Sequence, residues 1–303
     1  MQLGILYALL AYIIWGLLPL YIKSLHGVAP LEILLHRMVW SLVFLGAILL
    51  WRRHFGWLRE VAANPKLILN FAASAGLLCC NWFLYIWAVS ADRVVDASLG
   101  YFINPLVSVL LGVLLLHERL RWGQWLAIAV AGAGVLWLTW SAGHLPWIAL
   151  GLAASFGGYG LLRKTGALGA LEGLSLETLL LFPVAAVALG SLFITGHDTT
   201  RAATPLTQML LLLAGPVTAV PLLFFAAGAR RIPLSMLGIL QYAGPTIQLA
   251  LGIWLWHEPF PQTKQIGYAL IWISLAIYAV EGLVVSRWKS REAIDTKNKA
   301  HKI

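Results

Sequence analysis

Charge is what this sequence has least of. Aspartate, glutamate, lysine and arginine supply 11% of its 303 residues against 60% hydrophobic ones, a balance that excludes an ordinary water-soluble globule. Cysteine is nearly absent too. The two present, Cys79 and Cys80, are neighbours in an apolar run, which argues against a disulfide framework or a four-ligand zinc site and for packing roles. Catalytic strings are also missing: "HERLR" (His117 to Arg121) and "HEPFPQ" (His257 to Gln262) lack the second histidine of the HExxH site, and no GxSxG elbow or P-loop occurs. No enzyme, cofactor or metal site is expected. Without a P-loop, energy for any transport would come from gradients or from the solute itself. "GGYG" (Gly157 to Gly160) is a glycine cluster that reads as helix packing.

Apolar chain is what the sequence has in abundance. Ten stretches, near residues 3–22, 32–51, 67–90, 95–116, 121–140, 146–163, 174–194, 207–230, 234–256 and 263–285, are each about as long as the roughly 20 residues that cross a bilayer core. They lack the alternating polarity of barrel strands. The first has no basic leader and exceeds a signal-peptide core, so it reads as a retained helix. The expected fold is therefore an all-α polytopic membrane protein with ten transmembrane helices. The net charge of +9 is scattered over short loops, so a nucleic acid partner is not expected. Sixteen lysines and arginines fall after the even-numbered stretches and in the tail, and four in the alternate loops, which places both termini in the cytoplasm by the positive-inside rule. Residues 287–303 form a basic tail, solvated or facing lipid headgroups.

The chain repeats itself. "PLVSVLLGVLLLHERL" (Pro105 to Leu120) and "PTIQLALGIWLWHEPF" (Pro245 to Phe260) share Pro, Gly, His and Glu at an offset of 140, and Ala8 to Lys23 matches Ala149 to Lys164 at 141, Gly16 falling on Gly157. The third stretch falls on the eighth, whereas the second and seventh align poorly. Duplicating an odd number of helices inverts the second copy. The expected domains are a first five-helix repeat (1–145), a second, inverted one (146–286), and the tail. Arg119 and Arg121 then follow the cytoplasmic end of one copy, and Pro259 and Pro261 the outer end of the other. Inverted halves permit alternating access around a site near the midplane.

That site has candidates. Ser98, Tyr101, Pro105, Ser108 and Gly112 share one helix face, and the second copy supplies Gly238, Gln241, Pro245, Gln248 and Gly252. Such stripes either line a path or pack helices closely; Tyr101 and Gln241 favour a cavity, because packing does not require them. Pro105 and Pro245 free carbonyls and let helices bend. Asn81, with Tyr85 one turn later, and Asn104 each need a partner in hydrocarbon. Trp15 and Tyr242 are the aromatic cavity candidates, suiting flat or amphipathic solutes, or cations. Arg37, beside His36, either pairs with Glu32 or a headgroup or anchors an anionic group. Asp96 and Glu177 are proton carriers if transport is proton-coupled, and otherwise caps or gate ion pairs. Glu118 and Glu258 mark helix ends. The function expected is secondary transport of small solutes, with a passive channel, or a membrane enzyme or scaffold, as the alternatives. The partners are a small-molecule substrate and the bilayer, with a homodimer left open.

The phrases "YIIWGLLP" (Tyr12 to Pro19), "HRMVWS" (His36 to Ser41), "NWFLYIWAV" (Asn81 to Val89), "ASLGYFINPL" (Ala97 to Leu106), "ETLLLFPVA" (Glu177 to Ala185) and "QYAGPT" (Gln241 to Thr246) together resemble the RarD branch of the EamA-like group in the drug/metabolite transporter superfamily. The resemblance implies a bacterial inner-membrane permease of five-plus-five inverted helices exporting small amphipathic metabolites or drugs, with a chloramphenicol-type phenotype. The sequence departs from its pattern in one respect. Similar chains often have glycine before the helix-terminal glutamate, where this one has His117 and His257.

Overall fold

The computed structural model describes residues 2–25, 27–90, 94–142, 147–201, 203–255, 257 and 262–300. Among these the chain is helical throughout: α1 (Gln2–Ser24), α2 (Pro30–Arg52), α3 (Trp57–Ala63), α4 (Pro65–Ser90), α5 (Val94–Leu116), α6 (Trp122–Ala142), α7 (Trp147–Thr165), α8 (Ala170–Thr195), α9 (Pro205–Ala229), α10 (Leu234–Leu240), α11 (Ala243–Ala250), a π-helical turn (Leu251–Leu255) and α12 (Gln262–Ala300). Proline opens α2, α4 and α9, where its missing N–H would have no helical partner anyway. Thr204 adds a side-chain cap to α9. Left-handed Arg53 and Gly196 close α2 and α8.

Eight of these helical segments, with α10, α11 and the π-helical turn counted as one, are long and apolar enough to span a membrane among the described residues. The two remaining apolar stretches of the sequence coincide with α5 and α7. Val184, Val187 and Ile194 on α8 are 73%, 74% and 87% exposed, a density of bare aliphatic surface that only lipid accommodates. Two features differ from expectation. A short helix, α3, buries Trp57 and Val61 against Leu49, Phe71 and Leu176, and α12 continues without a break through the basic tail to Ala300.

The fold divides into two compact units, residues 1–116 with 146–258, and residues 117–145 with 259–303. In the larger unit α1 packs on α9 and α11, α7 on α4 and α5, α2 on α8 and α9, α4 on α8, and α5 on α10. In the smaller, α6 packs on α12. Gly134 meets the Gly267 carbonyl there, and the Ser274 hydroxyl donates to the Ala127 carbonyl at 2.6 Å.

Several spacings recur. α8 starts 140 residues after α2, α9 after α4, α10 after α5, and α12 after α6. A Cβ on Gly16 would lie 2.8 Å from Ile247, and one on Gly157 2.8 Å from Val107, so α1 crosses α11 and α7 crosses α5 at glycine. The glycine cluster is therefore a packing feature. His117 and His257 also match, with φ of 54° and 53°. Left-handed backbone costs a residue with a Cβ about 1–2 kcal/mol, which is why glycine suits these two helix exits. Glycine at either position is expected to leave melting unchanged or raise it. Isoleucine is expected to lower stability by about 1 kcal/mol more than histidine does, read from melting in detergent.

Candidate functional site

A cavity of about 860 Å³, its open mouth included, lies inside the larger unit. Its wall is assembled from α1, α2, α4, α5, α7, the α10–α11 junction and α11. Trp15, Tyr85, Tyr101, Asn81, Asn104, Gln241 and Gln248 all contribute, as do Arg37 and Pro245. Most of the sequence-derived candidates thus converge on one space.

Proline chemistry shapes one side of it. Pro245 cannot donate to the carbonyl of Gln241 four residues earlier, and the helix breaks there: α10 ends at Leu240 and α11 begins at Ala243. The Gly244 amide takes up the Gln241 carbonyl at 3.2 Å. Gln241 therefore sits at a joint between two helices, and the π-helical turn follows in the same span, a geometry that recurs at functional sites. Pro105, by contrast, leaves α5 unbroken.

The amides have divided tasks. Asn81 lines the cavity while its nitrogen donates to the Leu152 carbonyl at 2.9 Å and to Ser155 at 3.0 Å, so it both ties α4 to α7 and contributes to the cavity wall. Gln248 donates to the Trp15 carbonyl at 3.0 Å. Asn104 is 3% exposed, and its enclosed Oδ1 has no hydrogen-bond partner among the described residues. Tyr85 and Tyr101 meet edge to face, ring centroids 5.8 Å apart.

Arg37 turns into the cavity. Its Nε donates to Thr218 at 2.8 Å and its guanidinium stands 5.0 Å from the Trp82 ring. Glu32, the partner considered from sequence, is engaged elsewhere, accepting from the Thr199 amide at 2.9 Å and from the Thr199 hydroxyl. Arg37 is the only charged side chain in the wall among the described residues. That positive charge disfavours the cationic solutes an aromatic wall could otherwise admit.

Three candidates sit apart from the cavity. His36 accepts from Trp40 at 3.1 Å. Tyr242 is buried against Phe102, with centroids 6.4 Å apart, and donates to the Phe102 carbonyl at 3.2 Å. Glu177 is fully buried, accepting from Ser74 and, at 3.4 Å, from Tyr159, with Arg163 Nη1 at 3.6 Å. The Asp96 side chain lies outside the described residues.

Between the cavity and Glu177 stands an aromatic plug that sequence reading missed. Trp15 meets Phe156 at 5.6 Å and Phe225 at 5.7 Å, and Phe225 stacks on Tyr159 at 5.8 Å. Arg163, counted from sequence as a loop charge, is 1% exposed and donates to the Gly169 and Ala170 carbonyls. Around it Lys164 donates to the Ala229 and Ile232 carbonyls, and Arg230 to those of Gly166 and Leu168. This end of the larger unit, where the start of α1 meets Arg231 at Gly4, is tied by these bonds, while the cavity wall extends along α1 away from it, from Tyr12 to Ile22.

Known proteins match at the level of both sequence and fold. The profile of the EamA-like transporter family matches residues 2–140. The RarD protein of Escherichia coli is 43% identical over 95% of this chain and 97% of its own. The chain belongs to the EamA-like transporter family, on its RarD branch. An uncharacterized transporter of Pseudomonas aeruginosa is 45% identical over 95% of both chains. A second protein of that organism, named chloramphenicol-sensitive protein RarD, is 30% identical over 96% of this chain and 98% of its own. A solved structure described only as a crystal structure of a protein shares the fold, with a TM-score of 0.69 at 20% identity over 90% of this chain and 96% of that one. As a member of this family the chain is a multi-pass bacterial membrane transporter.

Proposed function

We propose that this EamA-like transporter is a secondary carrier built from two inverted five-helix halves, 1–145 and 146–286, which moves small amphipathic solutes out of the bacterial cytoplasm by alternating access. One observation carries the reading: residues touch their own repeat counterparts. Phe102 stacks on Tyr242, 140 positions later, and Trp15 meets Phe156, 141 positions later. A residue in contact with its counterpart lies beside the axis that exchanges the halves. The helix partnerships agree. Exchanging the copies turns α1 on α9 into α7 on α4, α1 on α11 into α7 on α5, and the Gly16–Ile247 crossing into Gly157–Val107. Two equivalent halves can adopt each other's conformations, so a cavity open at one end and tied shut at the other has a mirror state with the ends reversed.

In the positive-inside topology the open end is the outer one and both termini are cytoplasmic, in the inner membrane. The aromatic and amide wall suits an amphipathic solute, as does the chloramphenicol sensitivity in one relative's name. Export follows the resemblance to metabolite and drug exporters. Proteoliposomes test the carrier reading by counterflow. Labelled solute is expected to accumulate transiently against unlabelled solute inside, with saturation, for at least one member of a broad amphipathic panel. Uptake that is linear with concentration and indifferent to internal solute would replace the carrier with a passive pore.

A further inference from the structure

Three cavity-wall positions have counterparts in the closed end. Leu18 and Ile22 correspond, at the offset of 141, to Tyr159 and Arg163, and Arg37 corresponds at 140 to Glu177. The last correspondence rests on α2 and α8 starting 140 apart and on Leu31, Glu32 and Leu34 recurring as Leu171, Glu172 and Leu174. The closed end therefore holds an ion pair, Glu177 with Arg163 at 3.6 Å, where the open end holds Arg37 and the neutral Ile22. One half of a pair is present and the other is missing.

The free half has the geometry to take it. With Nε spent on Thr218, the two terminal nitrogens of Arg37 carry no acceptor among the described residues and present the fork that grips a carboxylate with two parallel hydrogen bonds. Enclosing the guanidinium without a counter-ion carries an uncompensated desolvation penalty, so an empty cavity opposes closure of the outer end. A bound anion removes that cost. Trp15, Tyr101 and Phe156 supply apolar area for a flat or branched body.

We infer that the transported solute is a compact organic anion, an apolar body bearing one carboxylate that pairs with Arg37 as the outer end closes. The inference rests on the carrier reading for its transport step, and on the cavity alone for its binding step.

The test compares acids with amides of the same body. N-acetyl derivatives of the twenty amino acids and the matching neutral N-acetyl amides are offered to the purified full chain in detergent, and binding is read by thermal stabilisation and by labelled-ligand competition. At least one acid is expected to bind about tenfold or more tightly than its amide, and Arg37→Gln is expected to abolish that preference. Arg37→Lys keeps the charge without the fork and is expected to retain a weakened preference. Should Arg37→Gln not fold, the wild-type acid-to-amide ratio and the lysine variant decide. No acid preferred over its amide, or a preference surviving in Arg37→Gln, overturns the inference. Counterflow of neutral solutes without acid preference would leave the carrier reading standing and this one lost. Acid binding that depends on Arg37, without any counterflow, would uphold the binding step and overturn the carrier reading together with the transport step.

Discussion

Replacing Glu177 with alanine is expected to destabilise the protein by about 3–5 kcal/mol. Arg163 and Glu177 are 1% and 0% exposed, and Arg163 already has Nε and Nη1 without hydrogen-bond acceptors. Its remaining supports are two backbone carbonyls and the Phe71 ring, 5.5 Å away. Removing the carboxylate leaves an enclosed cation with no counter-charge, and strands the hydroxyls of Ser74 and Tyr159. Removing both charges behaves differently, because neither desolvation cost remains. The double variant Arg163→Met/Glu177→Leu is expected to recover most of the loss, giving a strongly non-additive cycle. Melting of the four proteins in one mild detergent measures it. Additive losses would show that the two side chains contribute independently and that the closed end is not held by their pairing.

Gly16→Leu and Gly157→Leu are each expected to cost about 1–3 kcal/mol, and to cost similar amounts. At both sites a Cβ would stand 2.8 Å from a β-branched neighbour, Ile247 for Gly16 and Val107 for Gly157. These neighbours are stiff at χ1 and cannot swing aside, so the helices must separate. α1 crosses α11 at one site and α7 crosses α5 at the other, and the cavity wall is drawn from all four. A shift at either crossing therefore reaches Trp15, Tyr101 or Gln248. Loss of stability with loss of solute binding is the expected joint outcome, by melting and ligand competition. A well-tolerated leucine at one site and not at the other would argue against equivalent halves.

Much of this was legible in the sequence because membrane spans announce themselves. Length and hydropathy located the eight segments that are long and apolar enough to cross a membrane among the described residues, and the recurring Pro, Gly, His and Glu gave the internal offset. The histidine turns show what pattern alone omits. Glycine was missed at His117 and His257 as a departure, and its physical reason, a left-handed exit at φ near 54°, is visible only in the backbone. Candidates chosen because packing did not call for them, Tyr101 and Gln241, lie in the cavity wall. Tyr242 had the same local context and instead stacks on Phe102 and donates to its carbonyl, a contact 140 positions away that no local pattern signals. Arg163 was read as a loop charge since it follows an apolar run and adjoins Lys164; only the approach of α8 and α4 encloses it. The aromatic plug is assembled from α1, α7 and α9, and no single stretch of sequence signals it.

Reciprocal access to the cavity is the most direct measure of the account. In a Cys79→Ser/Cys80→Ser background, Leu18→Cys places a thiol on the cavity wall above the plug, to be probed in oriented vesicles with a membrane-impermeant maleimide from either face. The resting protein is expected to label from the face on which α1 ends and not from the other. Addition of a solute that the carrier exchanges is expected to expose the thiol to the opposite face while reducing labelling from the first. Simultaneous labelling from both faces, or access confined to one face under all solutes that are moved, would contradict alternating access around this cavity.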